Sequence, residues 1–219
     1  MALRAAIFDL DGTLVDSAAD IAEAINRLYD DLGQARVAPA QVQAWIGDGV
    51  RALVGSALAH KQLAVSVDEV MPGFLVHYNA TLLLEPVVYP GVLEALTALK
   101  EAGVPLGICT NKPVDLVPPL LAHLGLAHFF EVVIGGGSLP QRKPDAAPLL
   151  AVAAQLGVPV EACLMVGDSG TDHGAAMAAA MPVALVRYGY PRTFDLEAAP
   201  AVAVVDDLRQ LLPHFGLSA

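Results

Sequence analysis

The chain has 219 residues, 55% of them hydrophobic and 16% charged, which is enough apolar side chain for one well-filled core and too little polarity for a disordered one. Its formal net charge of −11 repels phosphate backbones and weighs against a nucleic-acid partner. The two cysteines, Cys109 and Cys163, lie far apart in apolar runs, which excludes a disulfide framework and suits a reducing compartment.

In chain order, "AAIFDLDGTLVDS" opens with an apolar run that reads as a buried strand, ended by Asp9 and Asp11, with Gly12 supplying a turn. The residues before it are too few for a secretory signal. The longest later apolar run, "AAMAAAMPVALV", is broken by Pro182 well short of a bilayer span, so a cytoplasmic protein without membrane contact is expected. From Ser17 to about Glu85 the period is helical throughout, as in "DIAEAINRLYDDLG", "APAQVQAWIG" and "GVRALVGSALA". This predicts an all-helical domain over residues 17–85 inserted after the first strand, with "EPVVYPG" as the return linker and a core formed by residues 1–16 and 86–219.

Beyond Tyr89, short apolar runs alternate with stretches of helical length. "VPLGICT", "EVVIGG", "ACLMVGD" and "MPVALVRY" read as strands, and "AVAVVDD" as a further one before a last helix. "GVLEALTALKEAG", "PVDLVPPLLAHLG", "DAAPLLAVAAQLG" and "DHGAAMAAA" read as helices, three of them followed by Gly103, Gly125 or Gly157 as C-terminal caps. Strands apolar throughout and separated by helices imply an α/β fold, a doubly wound parallel sheet covered on both faces. "GGGS" at 135–138 lacks the Lys-Ser/Thr of a phosphate loop and reads as a turn.

Ligands of such sheets bind beyond the carboxyl ends of the strands, and four of those ends carry polar groups. They are Asp9 and Asp11; Thr110, Asn111 and Lys112; Lys143 in "QRKPD"; and Asp168, Ser169 and Asp172 in "VGDSGTD". Singly, each is ordinary as a turn, cap or loop residue. Together, the carboxylates would repel one another unless a cation neutralised them. An all-oxygen ligand set points to Mg²⁺ rather than zinc, with Asp9 and Asp168 as ligands and Asp172 supporting them. Lys143, Thr110 and Asn111 then suit the oxygens of a phosphoryl group. Asp9 can act as carboxylate nucleophile, and Asp11, two residues on, as the acid and then the base.

These residues resemble the haloacid dehalogenase-like superfamily, and within it the phosphoglycolate phosphatase branch. "DLDGTLVDS", "CTNKP", "RKP" and "GDSGTD" look like its four motifs, in order, and "WIGDGVRALVGSAL", "GICTNKP" and "RYGYPR" look like that branch. The resemblance implies a Rossmann-like core with a helical cap and Mg²⁺-dependent hydrolysis of a small phosphorylated metabolite through an aspartyl-phosphate. It also implies that Asp11 lends its backbone carbonyl to the metal. One departure is Ala180, which stands where relatives commonly have glycine.

Several alternatives stay open at this point: another small-metabolite phosphatase (for a sugar phosphate, N-acetylmuramate 6-phosphate or pyrophosphate), a sugar-phosphate mutase, or a phospho-accepting receiver domain. Asp11 argues against carbon–halogen cleavage, and Lys61, the only lysine in the inserted segment, reads as surface. Arg51, just after "IGDGV", is a candidate for gripping a substrate carboxylate. His173 carries no assigned role, and the residues do not decide between monomer and homodimer.

Overall fold

The computed structural model describes residues 3–218. Six parallel strands form its centre: β1 (Ala5–Phe8), β4 (Leu106–Pro113), β5 (Val132–Gly136), β6 (Cys163–Gly167), β7 (Val183–Val186) and β8 (Ala203–Val205). Across the sheet they run in the order β5-β4-β1-β6-β7-β8. Successive residues of β1 serve opposite layers: Ala6 and Phe8 join one apolar core, Ala5 and Ile7 the other. A strand buried on both faces has no polar side, which is why it reads as a continuous apolar run.

Helices α5 (Val92–Glu101), α6 (Val117–His123), α7 (Ala147–Leu156) and α8 (Gly170–Ala178) connect the strands and cover the sheet. The chain leaves β1 for β4 and β5 on one side, then returns to β6 and continues outward on the other. β1 is therefore the switch point, where the connections on its two sides diverge and leave a crevice at the carboxyl edge.

Four helices follow β1 before the sheet resumes: α1 (Ala18–Asp31), α2 (Pro39–Gln43), α3 (Val50–His60) and α4 (Val67–Thr81). In α1, Ile21, Ile25, Leu28 and Tyr29 are buried, one helical stripe facing its neighbours. α4 starts on a reciprocal cap between Ser66 and Glu69 and buries Val70, Phe74 and Tyr78 four residues apart. These apolar residues are continuous with the core under the sheet.

Two short strands depart from the sequence expectation. β2 (Val15–Asp16) pairs antiparallel with β3 (Val87–Val88), so the chain entering the helical insert and the "EPVVYPG" segment leaving it form one ribbon. The Asp20 carboxylate accepts a hydrogen bond from the Glu85 amide at 2.9 Å and staples the same two ends together. The last helix also differs, since residues Leu208–Phe215 form a 3₁₀ helix with Pro213 inside it. The ring of a proline inside an α-helix crowds the carbonyl four residues before it, which disfavours the α-helical path there.

Candidate active site

Asp9 follows β1 directly, and its amide still donates to Val166 of β6 at 2.9 Å, which fixes the aspartate at the carboxyl edge of the central strand. The chain then turns: the amides of Leu14 and Val15 donate to the Leu10 carbonyl, and that of Gly12 to Val15. Gly12 has φ +90°, and a Cβ there would lie 2.3 Å from Asp168 Oδ2. The turn thus requires glycine twice over, for its conformation and for its close approach to the neighbouring carboxylate.

Asp168 ends β6 in the same way. Its Oδ1 accepts from Thr13 Oγ1 at 3.2 Å and its Oδ2 from the Tyr190 amide. Asp172 is fully buried and has both oxygens committed. Oδ1 accepts from Lys143 Nζ at 2.6 Å, and Oδ2 accepts from Ser169 Oγ at 2.6 Å and from the amides of Asp168 and Ser169. Ser169 and Asp172 also form the capping box that begins α8, so "GDSGTD" is at once a helix start and a wall of the site.

Lys143 comes from the loop after β5 and is 2% exposed. Its Nζ bridges Asp172 at 2.6 Å and Asp9 Oδ1 at 2.9 Å. That Asp9 oxygen is buried, and the lysine stands off its hydrogen-bonding direction, so it has no well-formed hydrogen bond. Burial pushes the Asp9 carboxyl up to about 6, with Lys143 pulling it down and Asp172 pushing it further up. Burial, and then the charges of Asp172 and Asp9, hold Asp168 well above the carboxylate range. Burial works against the charge on Lys143, but Asp172 and Asp9 outweigh it and keep its pKa above that of a free lysine.

One oxygen from each of Asp9, Asp168 and Asp172 lies within 4.8 Å of the others. The structure brings Asp9 and Asp168 together as expected, whereas the Asp11 carboxylate stands apart from this group. It accepts from Ser17 Oγ at 2.6 Å and from Lys112 Nζ at 3.1 Å. The site therefore gathers four carboxylates, of Asp9, Asp11, Asp168 and Asp172, against two ammonium groups, Lys112 and Lys143. The two surplus negative charges, the raised pKa values of Asp9 and Asp168 and the poorly bonded Asp9 oxygen are what a site for a hard divalent cation would show.

Thr110 and Asn111 reach the same edge on β4 with different outcomes. Thr110 Oγ1 accepts from the Lys112 amide at 3.1 Å and keeps its own proton for another partner. The sequence assigns Asn111 to phosphate; in the structure its carboxamide is committed elsewhere, so its side chain is not the donor, and only its backbone could serve that role. The carboxamide accepts from the Lys143 amide at 3.1 Å and donates to the Lys143 carbonyl at 2.9 Å and the Gly47 carbonyl at 3.0 Å. It is a clamp that positions Lys143 and ties it to the helical insert.

A small cleft, with about 30 Å³ of space for water, opens between the sheet edge and the insert. Asp9, Asp11, Thr110 and Lys112 line its polar side, while Ile21, Ile46, Val50 and Leu53 face them. Arg51 is not part of it. Its side chain is about half exposed and pairs with Asp68 at 2.7 Å, because Val50 and Leu53 take the inward face of α3 and the next residue round the helix points outward. The residue of this stretch that reaches the core is Asp48, which accepts from Thr171 Oγ1 at 2.6 Å and from the Arg192 guanidinium. Sequence reasoning also missed the role of Lys112. Its Nζ lies 2.7 Å from Tyr78 Oη of α4, and Asp11 and Tyr78 keep its pKa high despite burial. His173 points away from the site, with Nε2 3.0 Å from the Pro200 carbonyl.

Residues 6–186 match the haloacid dehalogenase-like hydrolase family. The chain is 41% identical over 212 residues to the phosphoglycolate phosphatase of Colwellia psychrerythraea, covering 94% of each. It is 42% identical over 215 residues to that of Rhodospirillum rubrum, covering 95% of this chain and 89% of the relative. A crystal structure described as a "predicted phosphoglycolate phosphatase" from Haemophilus somnus superimposes with a TM-score of 0.89 at 33% identity, covering 96% of this chain and 97% of that one. CbbY from Rhodobacter sphaeroides, crystallised with phosphate, shares the fold with a TM-score of 0.83 at 21% identity, over 98% of this chain and all of that one.

Proposed function

We propose that this chain, which belongs to the haloacid dehalogenase-like hydrolase family and is a phosphoric monoester hydrolase, acts on 2-phosphoglycolate with Mg²⁺ as its metal, releasing glycolate and phosphate. The single observation that carries this reading is the convergence of Asp9, Asp168 and Lys143 at the carboxyl edge of β1 and β6. Two relatives at about 40% identity that bear the name phosphoglycolate phosphatase support the substrate.

In this reading an Asp9 oxygen attacks phosphorus and the bond from phosphorus to the ester oxygen breaks, leaving an aspartyl-phosphate. Asp11 gives its proton to the departing glycolate oxygen. Water then attacks the same phosphorus, Asp11 takes its proton, and the Asp9 carboxylate is released together with phosphate. Lys143, held by Asn111 and Asp172, and the Thr110 hydroxyl donate to the phosphoryl oxygens as charge shifts onto them. Asp9, the Asp11 backbone carbonyl and Asp168 would hold Mg²⁺, with Asp172 fixing Asp168 through its amide; bound there, the ion supplies the positive charge that lets a phosphoryl dianion approach four carboxylates. Residues 17–85 act as a cap over the core of residues 1–16 and 86–219, and the apolar wall of Ile46, Val50 and Leu53 excludes water from the reacting group.

Buried, unpaired Cys109 and Cys163 support placing the enzyme in the cytoplasm, and among the described residues no helix is long and apolar enough to cross a membrane. The test is phosphate release with and without Mg²⁺ over 2-phosphoglycolate, hexose phosphates, N-acetylmuramate 6-phosphate and pyrophosphate. Metal-dependent turnover with 2-phosphoglycolate the best substrate is the expected result. Comparable turnover in EDTA would remove the metal, and a better sugar phosphate would remove the substrate.

A further inference from the structure

We infer that Lys112 and Tyr78 together form the subsite that recognises a carboxylate on the carbon next to the ester oxygen, and so select phosphorylated α-hydroxy acids; this rests on the phosphomonoesterase reading above.

Lys112 is the only cationic side chain among those lining the cleft. It is 5% exposed, and its ammonium lies 3.1 Å from Asp11 Oδ1 and 2.7 Å from Tyr78 Oη. An ammonium has three protons, and these two neighbours leave one for a ligand. Tyr78 comes from α4, across the cleft from β4. Among the described residues its hydroxyl makes only the bond it accepts from Lys112, so its own proton is free to donate. Burial pushes that hydroxyl up to about 12, which keeps the proton in place. Two donors held 2.7 Å apart suit the two oxygens of one carboxylate.

The placement relative to the chemistry follows from Asp11. Its carboxyl must reach the ester oxygen to protonate it, and Lys112 is the next group beyond it. In a phosphorylated α-hydroxy acid the carboxylate begins two bonds from that oxygen, which is the step from Asp11 to Lys112. Arg51, exposed and paired with Asp68, cannot serve this purpose. The facing apolar wall of Ile21 and Leu53 offers nothing to a sugar hydroxyl, so the polarity of the cleft beyond the phosphoryl group is concentrated in this one pair.

The experiment compares kcat/KM for 2-phosphoglycolate and for ethyl phosphate, which has the same phosphoryl group and two carbons but no carboxylate. Lys112→Met should reduce the preference for 2-phosphoglycolate over ethyl phosphate by about 10- to 100-fold, chiefly through KM for the former, as loss of a charged hydrogen bond does. Tyr78→Phe, which removes only the hydroxyl, should reduce it about 3- to 10-fold, and Lys112→Arg should recover part of it. If Lys112→Met unfolds the protein, Tyr78→Phe decides alone. Equal losses on both esters, or an unchanged preference in either folded variant, would overturn the subsite and leave Lys112 as a residue that only positions Asp11. A wild-type enzyme that turns over both esters equally well would instead sink the substrate reading itself.

Discussion

Replacing Asp9 by asparagine should stabilise the metal-free protein while abolishing its activity. A carboxyl shifted by burial from 3.8 to about 6 is held charged at neutral pH at a cost of about 3 kcal/mol, at ~1.4 kcal/mol per pH unit. Asparagine keeps the shape and removes that cost. That shift is already net of the attraction to Lys143, 2.9 Å away, and asparagine brings a buried amide group of its own to satisfy, so a net gain of about 2 kcal/mol is expected. In a chain of this size that corresponds to a melting temperature about 4–8 °C higher. The sign follows from the raised pKa: the folded wild type binds a proton that the unfolded chain has lost, so its stability declines as pH rises from about 4 to about 6, and the Asp9→Asn variant lacks that decline. Thermal unfolding by circular dichroism in EDTA at pH 4.5 and pH 7.5 tests this. The gap between variant and wild type should open only at pH 7.5 and narrow when Mg²⁺ is added. A variant that melts below wild type at pH 7.5 in chelator, or a gap equal at both pH values, would refute the reasoning.

Lys143→Met leaves Asp9 and Asp172 without their shared buried counter-charge and should cost about 3–5 kcal/mol in urea unfolding, with complete loss of phosphate release. Ala180 has φ +51° in the turn that ends α8, where the Met181 amide donates to the Ala176 carbonyl. Ala180→Gly relieves a left-handed cost of about 1–2 kcal/mol against a glycine entropy loss of about 0.5–1 kcal/mol, so it should raise the melting temperature by about 1–4 °C and leave kcat/KM unchanged. Arg51→Ala removes only an exposed ion pair with Asp68, and KM for 2-phosphoglycolate should stay within about twofold of wild type.

The parts of this site written into the sequence are those whose position is local. A carboxylate that follows an apolar strand must sit at the sheet edge, and this places Asp9 and Asp168 without any tertiary information. Ser169 and Asp172 are spaced as a helix-start signal, and the structure uses them as one. What the sequence did not disclose depends on segments that meet only in the fold. Val15 and Asp16 have no periodicity that announces Val87 and Val88 as partners. The residue type of Asn111 suits phosphate, yet its carboxamide is taken up by Gly47 and Lys143 from two separate loops. The direction of Arg51 turned on helical phase at the start of α3, where Val50 and Leu53 take the inward face, and Asp48 precedes that helix, so no period announces its partners Thr171 and Arg192.

The same contacts explain how enclosure and chemistry can be linked in so small a cleft. Among the polar bonds that join the insert to the sheet edge are those of Asn111 to Gly47, Asp48 to Thr171 and Arg192, and Lys112 to Tyr78. Each uses a residue that also bears on the reacting groups or stands next to one that does. Asn111 clamps the backbone of Lys143, Thr171 adjoins the committed Asp172, and Lys112 holds Asp11. Moving the insert away would release the Gly47 bond and leave Asn111 gripping Lys143 alone, while Asp11 would keep Lys112 but lose the tyrosine that fixes its direction. Docking of the insert and alignment of the proton-transfer group are therefore coupled through Lys112, because one buried ammonium makes both contacts.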